Sequence, residues 1–566
     1  MKSVFISLFF AVYGVFFFFF YPYHLQFKEQ LILFGGDILP YLQKPAAISE
    51  FLGNYLTQFY LLTGVGSLTL MGFLLLLWAG SFFAFKRTGI VRNITLLALL
   101  PVAAEAALSC FTEYPLSMVI GAVAAVWMFV ALSYLKNKTV FSFALLVTAV
   151  ALYLLTGAHF LLFLLFAFIE QIRRKVHWIL LAATAIIALA TPFIASRFYY
   201  LTVSQAYFYP IIEHYLLKQP FLFLLTEVSL LAAFLLNFWR IKKLFLYCII
   251  LIIAPLEVYL MSDFKEEYNL GLSSEAYFGN WNKVEALSKK EKYNTYISAY
   301  YGNLANVRKG KLAEELLKQY QPAEFGLFFK IRETDSYINL MAAPDVLMEC
   351  GDMAQAQHSA MLAMIFTPHQ RSSRMVRKLA EIAIANGEYP VAGKYLNMLS
   401  KTALHRRWAN ENRELIANDT TTFEFSGKRA FLSQRDTLFV SNDWRAALVN
   451  LLESNPQNRK AADYLLCYHL LRKDLKFFKA DYDAYYYPAF GNSPPELYQE
   501  ALLMLLNNED EGQRRVESRK YRINQLVWNR SNNFLSLFEN TQRNDGIIRS
   551  SFSTSYWFYY FYAQMK

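Results

Sequence analysis

The stretch VFISLFFAVYGVFFFFF, from Val4 to Phe20, contains no charged residue and is long enough to cross the hydrocarbon core of a bilayer as a helix. Lys2 precedes it, and Tyr21-Pro22-Tyr23-His24 follows it in place of the small residues of a signal-peptidase site. We therefore interpret this stretch as an uncleaved first transmembrane span.

Eight further apolar segments follow within the first 262 residues. With boundaries good to a few residues, the nine predicted spans lie near 3–22, 58–85, 93–112, 115–135, 139–156, 158–170, 177–195, 220–238 and 243–261. The sixth segment is short for a span, so the fifth and sixth alternatively form a re-entrant pair.

The two parts of the chain differ in composition. Charged residues make up 17% of the 566 residues, below the usual share in soluble proteins, but residues 263–566 contain 39 Lys and Arg with 35 Asp and Glu. We therefore predict a transmembrane domain over 1–262 and a soluble domain over 263–566. The soluble part is nearly balanced in charge, and the cations of 1–262 cluster between apolar segments, so a nucleic-acid partner is not expected.

The basic residues also predict the topology. Of the 16 Lys and Arg in residues 1–262, 12 fall on one side of the nine-span alternation. The positive-inside rule places that side, with the N-terminus, in the cytoplasm, and residues 263–566 on the opposite face. For a bacterium, this means an inner-membrane protein in contact with the lipid bilayer, with a periplasmic C-terminal domain.

The soluble part shows a repeated turn. Gly279-Asn-Trp281, Gly310-Lys-Leu312, Gly351-Asp-Met353 and Gly387-Glu-Tyr389 each follow a helix-like stretch and open an apolar helix. Their spacings scatter around the 34-residue period of tetratricopeptide (TPR) repeats. The sequence therefore predicts an all-α protein, a transmembrane bundle followed by a TPR-like α-solenoid, with a polar, β-prone insertion near residues 420–440.

Motifs of soluble catalysis are absent from the sequence. It contains no P-loop, GxSxG, HExxH or GxGxxG motif, and its four cysteines have no CxxC or CxxH spacing. We predict neither a metal site nor a disulfide framework from the cysteines.

The candidate functional residues lie instead on the predicted outer side of the membrane domain. Glu105 and Glu227 fall within predicted spans at or beyond mid-depth, where an ionisable group is costly and is by default a functional-site hypothesis. The candidate catalytic acids of the outer loops are Glu29, Asp37 and Glu113, and the candidate ligand-binding residues are Glu105, Glu227, His159, Arg197 and Lys218.

Each candidate also has a structural interpretation. The loop acids are more often solvated charges than catalysts, Asp37 beside two glycines is typical of a turn, and His159 could mark the turn between two spans. The hypothesis of a functional site depends on the predicted side of the membrane and the depth in it that these residues share.

The order of these features resembles the GT-C glycosyltransferases over about residues 1–262. A first span is followed by an outer loop with interfacial helices and an acid, and a second acid, Glu113, lies between the third and fourth spans. The resemblance implies a polyprenyl-phosphate-linked sugar donor, with Asp37 or Glu29 as base or metal ligand and Glu113 as helper. The first loop lacks the acidic pair of that family, so a divalent metal cofactor is left open.

Two further resemblances concern the whole chain. A GT-C-like domain with a TPR tail is similar to the eukaryotic transmembrane-and-TPR O-mannosyltransferases. The segments Glu50-Phe-Leu-Gly-Asn-Tyr-Leu-Thr-Gln-Phe59 and Ala383-Ile-Ala-Asn-Gly-Glu-Tyr389 resemble an uncharacterised family of bacterial multi-pass proteins with helical-repeat tails. That resemblance implies an architecture and no activity.

Three functions therefore stay open from the sequence. The first is a GT-C-like transferase, and the second is a membrane-anchored scaffold that binds periplasmic or envelope proteins through its repeats. The third is a transporter that uses Glu105 and Glu227 for coupling.

Overall fold

The computed structural model is built from helices and turns, with no β-strand in the part of the chain that it describes. The described residues are 2–90, 92–210, 222, 224–239, 242–290, 293–329, 337–367, 370–418, 423–433, 443–507, 509–541 and 543–563. The prediction of an all-α protein is confirmed for these residues.

The chain forms two compact units. We call the first the membrane unit; it comprises Met1–Glu267 together with two short segments from the predicted repeat region, Thr367–Ser373 and Met398–Ala409. The second, the C-terminal unit, comprises Tyr268–Phe366, Arg374–Asn397 and Asn410–Lys566.

Apolar helices dominate the membrane unit. Its α-helices are Lys2–Val15, Pro22–Gln30, Leu39–Leu42, Ala47–Thr57, Val65–Arg87, Ile94–Leu97, Leu99–Leu108, Leu116–Ser133, Lys138–Thr156, Phe160–Arg173, Trp178–Phe198, Val203–Phe208, Leu225–Phe238 and Lys243–Met261. Short 3₁₀ turns at Gln58–Leu61 and Gly157–His159 and a π-helical turn at Phe16–Phe20 connect some of these helices.

Five helices are long and apolar enough to cross a membrane, or six if the bent pair Val4–Phe20 and Pro22–Gln30 is one span. These helices indicate a membrane protein. Ile94–Leu108 and Leu225–Phe238 are apolar but shorter, and the fifth and sixth predicted spans lie in one apolar helical stretch, Lys138–Arg173. Its 36 residues would extend about 54 Å as a straight α-helix, well beyond the hydrocarbon core. The number of nine spans is therefore not confirmed.

Helix Ala47–Thr57 of the first loop presents its polar side inward. Glu50 and Ser49 are buried, whereas Leu52 and Tyr55 are exposed. Gly53 packs against helix Leu116–Ser133, where an added Cβ would lie 2.8 Å from the backbone nitrogen of Ser117. This orientation is opposite to that of a surface helix of a soluble protein, and it suits an apolar surrounding.

The C-terminal unit consists of shorter helices. Its α-helices are Trp281–Ser288, Tyr296–Arg308, Leu312–Glu315, Tyr337–Cys350, Met353–Phe366, Ser373–Asn386, Tyr389–Ser400, Arg406–Ala417, Phe423–Arg429, Trp444–Ser454, Arg459–Leu471, Leu475–Asp481, Tyr487–Phe490, Glu496–Leu506, Glu511–Lys520, Gln525–Asn540, Asp545–Phe552 and Tyr556–Tyr562. Some of them begin or end in the two segments assigned to the membrane unit, and helix Phe264–Tyr277 contains the first boundary between the units.

The predicted turns are present. Gly279, Gly310, Gly351 and Gly387 all have positive φ, between 67° and 87°, and each separates two helices. At Gly351 a Cβ would overlap the carbonyl oxygen of Phe431, so only glycine fits both the backbone angle and the space. The helix–turn–helix units are thus observed, while a TPR-like solenoid stays a prediction.

Within the predicted β-prone insertion, the described residues include a helix, Phe423–Arg429, so the expectation of β-structure is wrong there. Residues 419–422 and 434–442 lie outside the described part of the chain. A short turn of helix is compatible with this polar sequence because Lys428 and Arg429 lie in its last turn, where cations stabilise the helix dipole.

Candidate functional site

Three sequence-predicted residues of the membrane unit come together. Glu105 lies on helix Leu99–Leu108, His159 ends the 3₁₀ turn Gly157–His159, and Glu227 lies in the first turn of helix Leu225–Phe238. Nδ1 of His159 is 2.9 Å from Oε1 of Glu227, and its Nε2 is 3.5 Å from Oε1 of Glu105. One imidazole therefore bridges two carboxylates.

Two hydroxyl groups complete this arrangement. The Tyr114 hydroxyl donates a hydrogen bond of 2.9 Å to Oε2 of Glu105 and lies 3.2 Å from Nε2 of His159. The Thr226 hydroxyl donates a bond of 2.8 Å to Oε1 of Glu105, which is fully buried. We call Glu105, Tyr114, His159, Thr226 and Glu227 the acid–histidine cluster.

A local break in the helix positions His159. Gly157 has a φ of 76°, and a Cβ there would lie 2.5 Å from the carbonyl oxygen of Tyr209. That same oxygen accepts a hydrogen bond of 2.9 Å from the Ala158 nitrogen. On the facing helix, a Cβ at Gly121 would lie 2.9 Å from the oxygen of Thr156. Glycines at both positions therefore let the turn close and bury His159.

The bonding partners of the two carboxylates suit proton exchange. Within the described part of the chain, Glu105 and Glu227 bond to an imidazole and to hydroxyls, and Oε2 of Glu227 is buried without a hydrogen-bond partner. An imidazole between two carboxylates can hold a proton or pass it from one side to the other, because it presents a nitrogen to each.

A second polar group lies along helix Pro22–Gln30. Nζ of Lys28 donates hydrogen bonds to the carbonyl oxygens of Tyr114, at 2.8 Å, and Ser109, at 3.2 Å. The helix thus lies against the second predicted outer loop, which carries Glu113. Burial raises the pKa of Glu113, and the nearby Lys28 ammonium partly offsets this rise.

Glu29, on the same helix, pairs with a residue from far along the chain. Its Oε1 lies 2.9 Å from Nε2 of His405, which belongs to one of the two late segments of the membrane unit. The Ser373 hydroxyl, from the other late segment, donates to the carbonyl oxygen of Glu29 at 3.1 Å. Both side chains of the Glu29–His405 pair are buried, and Oε2 of Glu29 has no hydrogen-bond partner among the described residues.

The family model described as "Family of unknown function (DUF6057)" matches residues 1–563. The chain belongs to this family. No curated protein and no solved structure matches the chain. The DUF6057 match includes both units, so Glu29 and His405, 376 residues apart, lie within one family model.

In this DUF6057 protein the other predicted site residues lie apart from these contacts. Asp37 is exposed, and its Oδ1 accepts a hydrogen bond of 3.0 Å from the Leu39 nitrogen, as in a turn. Arg197 is exposed, with its guanidinium 5.9 Å from the ring centre of Phe193. Lys218 lies outside the described residues.

Sequence reasoning missed three contributors to the site. Tyr114 and Thr226 are hydroxyl residues in apolar surroundings, which are too common to single out without the fold. His405 lies in the predicted repeat region, where nothing in the sequence connects it to the first loop. Among the described residues, no group of three or more His, Cys, Asp or Glu side chains is placed to hold a metal ion.

Proposed function

We propose that the protein is a GT-C-like glycosyltransferase that moves a sugar from a polyprenyl-phosphate donor to an acceptor hydroxyl. In this proposal the chain spans the bacterial inner membrane nine times, with its N-terminus in the cytoplasm. The C-terminal unit lies in the periplasm as a TPR-like domain and holds the acceptor or an envelope protein. The distribution of basic residues supports this topology.

The observation that carries the proposal is the state of Glu29. Among the described residues, one oxygen of this buried carboxylate is held by His405 and the other has no hydrogen-bond partner, which is costly unless a donor reaches it. An acceptor hydroxyl is such a donor. Glu29 is also the alternative first-loop acid implied by the GT-C resemblance, and its burial favours it over the exposed Asp37.

Each of the acids and His405 has one role in the proposed sugar transfer. Glu29 takes the proton of the acceptor hydroxyl as that oxygen attacks the anomeric carbon of the sugar, and the bond from that carbon to the polyprenyl phosphate breaks. The phosphate leaves with the electron pair of that bond. His405 positions Glu29, and Glu113, held near Lys28, is the helper acid of the second loop.

The test uses the full-length protein in vesicles with a radiolabelled polyprenyl-phosphate hexose and an envelope extract as acceptor. The loss of label from the lipid fraction is the measured rate. We expect Glu29→Gln to lower it at least about 100-fold, because a general base contributes 10²–10⁴-fold. Asp37→Asn, the matched acid of the same loop, should stay within about threefold of the wild type.

Each outcome decides between specific alternatives. A normal rate in Glu29→Gln with loss in Asp37→Asn would move the base to Asp37. The absence of label transfer by the wild type with any hexose donor would contradict the transferase. The membrane-anchored scaffold would then be preferred, and the full chain should retain envelope proteins through its C-terminal unit.

The acid–histidine cluster favours a second candidate, a proton-coupled transporter. Its two carboxylates share one imidazole inside the apolar helices, as the proton relays of transporters do. The test is proton movement into vesicles that contain the full-length protein, with Glu227→Gln as the variant. Unchanged proton flux in that variant would remove the cluster from a transport role.

A further inference from the structure

Two segments from the predicted repeat region belong to the membrane unit, and both are basic. They are Thr367–Ser373 and Met398–Ala409, which we call the late segments. Together they contain four Lys and Arg and no Asp or Glu, whereas the whole chain has 55 basic and 44 acidic residues. The late segments therefore concentrate positive charge within the membrane unit.

Hydrogen bonds hold the late segments next to the ends of two apolar helices. The Ser372 hydroxyl donates a bond of 2.6 Å to the carbonyl oxygen of Gln30, which lies beyond the end of the first apolar stretch. The Ala403 nitrogen donates a bond of 3.0 Å to Oε1 of Gln58, which precedes the apolar helix Val65–Arg87. Both late segments thus contact the membrane unit where the chain leaves or enters an apolar helix.

The length and angle of helix Pro22–Gln30 define the depth of this contact. The helix follows Val4–Phe20 after a bend of 64°. Its 9 residues extend about 13 Å, of which about 6 Å lies along the axis of Val4–Phe20. The headgroup layer on each side of a bilayer is about 5–8 Å thick. With Val4–Phe20 as the first span, the first late segment therefore lies at the depth of the headgroups.

Three cations of the late segments are exposed: Arg371, Lys401 and Arg406. Within the described part of the chain, none of the three forms an ion pair. Arg406 donates a hydrogen bond of 2.9 Å to the carbonyl oxygen of Ser400, which does not neutralise its charge. The fourth cation, Arg407, lies four residues before Glu411 on one helix, so we do not count it as available.

An exposed apolar turn of the first loop lies beside these cations. Burial raises the pKa of Tyr41, and the charge of Arg371 partly opposes this rise, because the two side chains lie near each other. On the two sides of Tyr41, Leu39 and Leu42 are 64% and 53% exposed. Exposed apolar side chains with cations beside them are typical of segments that lie in a membrane interface.

We propose that the late segments bind the anionic headgroups of bilayer phospholipids. The three exposed cations contact the lipid phosphates, and the exposed turn of the first loop inserts among the acyl chains beside them. Asp37 and Lys44, on either side of that turn, are both exposed and offset each other in charge. The inference rests on the membrane location that the apolar helices indicate, and it does not rest on the proposed transferase activity.

Binding is measured by titration calorimetry on the detergent-solubilised full-length protein. The probes are two lipids with identical short chains, dioctanoyl phosphatidylglycerol, which is anionic, and dioctanoyl phosphatidylcholine, which has no net charge. Each cation near an anionic membrane strengthens binding about fivefold, so we expect phosphatidylglycerol to bind about 100-fold more tightly at low ionic strength. Added salt should reduce this preference, because it screens exposed charges.

A triple variant connects the preference to the late segments. Arg371→Gln/Lys401→Gln/Arg406→Gln should bind the two lipids within about threefold of each other. The control is Arg515→Gln/Arg519→Gln/Lys520→Gln, which removes the same number of exposed cations from helix Glu511–Lys520 and should keep the wild-type preference. Melting temperatures show whether each variant is folded.

The remaining outcomes would overturn the proposal. No preference for phosphatidylglycerol in the wild type would show that the late segments do not bind anionic headgroups. Equal loss of the preference in both triple variants would assign it to the net charge of the protein. Displacement of the lipid by an equal concentration of inorganic phosphate would identify a site for a free anion.

Discussion

Two groups of buried acids, one in each unit, are held by different kinds of partner. In the membrane unit, Glu29 pairs with His405, and the two carboxylates of the acid–histidine cluster bond to His159 and to hydroxyl groups. In the C-terminal unit, the ion-pair partners of Asp345, Glu349 and Glu381 are arginine and lysine side chains.

This difference has a chemical consequence. Arginine and lysine stay charged at neutral pH, so the carboxylates beside them stay ionised. Histidine and hydroxyl groups can give or take a proton, so the carboxylates beside them can change protonation during a reaction. The first arrangement keeps its charges fixed, and the second suits proton transfer.

The greatest loss of stability is expected when the buried Arg374–Asp345 pair is removed. Arg374 is fully buried and bonds to Asp345, Ser273 and Tyr301, so Arg374→Met should destabilise the protein by about 3–5 kcal/mol. Melting of the full-length protein in detergent measures the loss. Arg515→Met is the matched control, because Arg515 is 66% exposed and its partner Glu511 is 74% exposed, so the loss should be about 0.5 kcal/mol or less. Equal losses would show that burial of the pair is unimportant.

The next effect concerns the acid–histidine cluster. His159→Leu removes the bridge between Glu105 and Glu227 and should cost about 2 kcal/mol, because it removes the imidazole that is bonded to Oε1 of Glu227. The melting temperature in detergent measures this loss. His177→Leu, at an exposed helix start, should have less effect. An unchanged melting temperature in His159→Leu would contradict a stabilising bridge.

The stability of the protein at low pH should depend on Glu381. The pKa of Glu381 is about 2 in the folded protein and 4.5 without its surroundings, so the unfolded state takes up its proton first as pH falls. Its stabilising contribution is therefore fully present above about pH 4.5 and is lost towards pH 2. Melting temperatures from pH 6 to pH 3 should fall less steeply in Glu381→Gln than in the wild type. Parallel curves would contradict the contribution of Glu381.

The smallest effect is expected at the surface. Lys289 is 44% exposed and bonds to Glu285 at 2.7 Å and Glu315 at 3.3 Å. Lys289→Gln should change stability by about 0.5 kcal/mol or less, since solvent screens such pairs. A melting temperature that falls as far as in Arg374→Met would show that pairing alone, without burial, decides these energies.

The sequence predicts the helices and turns better than it predicts which side chains meet in the folded protein. Apolar runs indicate membrane helices, and Gly279, Gly310, Gly351 and Gly387 mark turns, because both features depend on local backbone and solvent preferences. The number of spans is harder to predict. In a 36-residue apolar stretch such as Lys138–Arg173, no run of polar residues shows where one span would end and the next begin.

The candidate site was predicted in part. Glu105, Glu227 and His159 stand out because ionisable residues are rare in apolar segments. These three side chains meet because the helix breaks at Gly157, which positions His159. That contact forms only once the helices are packed together. The Glu29–His405 pair joins residues 376 positions apart, and no local pattern predicts such a contact.

The role of the Glu29 carboxylate in proton transfer is tested most directly by activity. The rate at which label leaves a polyprenyl-phosphate hexose is measured for the wild type, Glu29→Gln and the surface variant Arg515→Gln in the same vesicles. We expect a loss of at least about 100-fold in Glu29→Gln and a rate within about threefold of the wild type in Arg515→Gln. A wild-type rate in Glu29→Gln would contradict the assignment of proton transfer to Glu29.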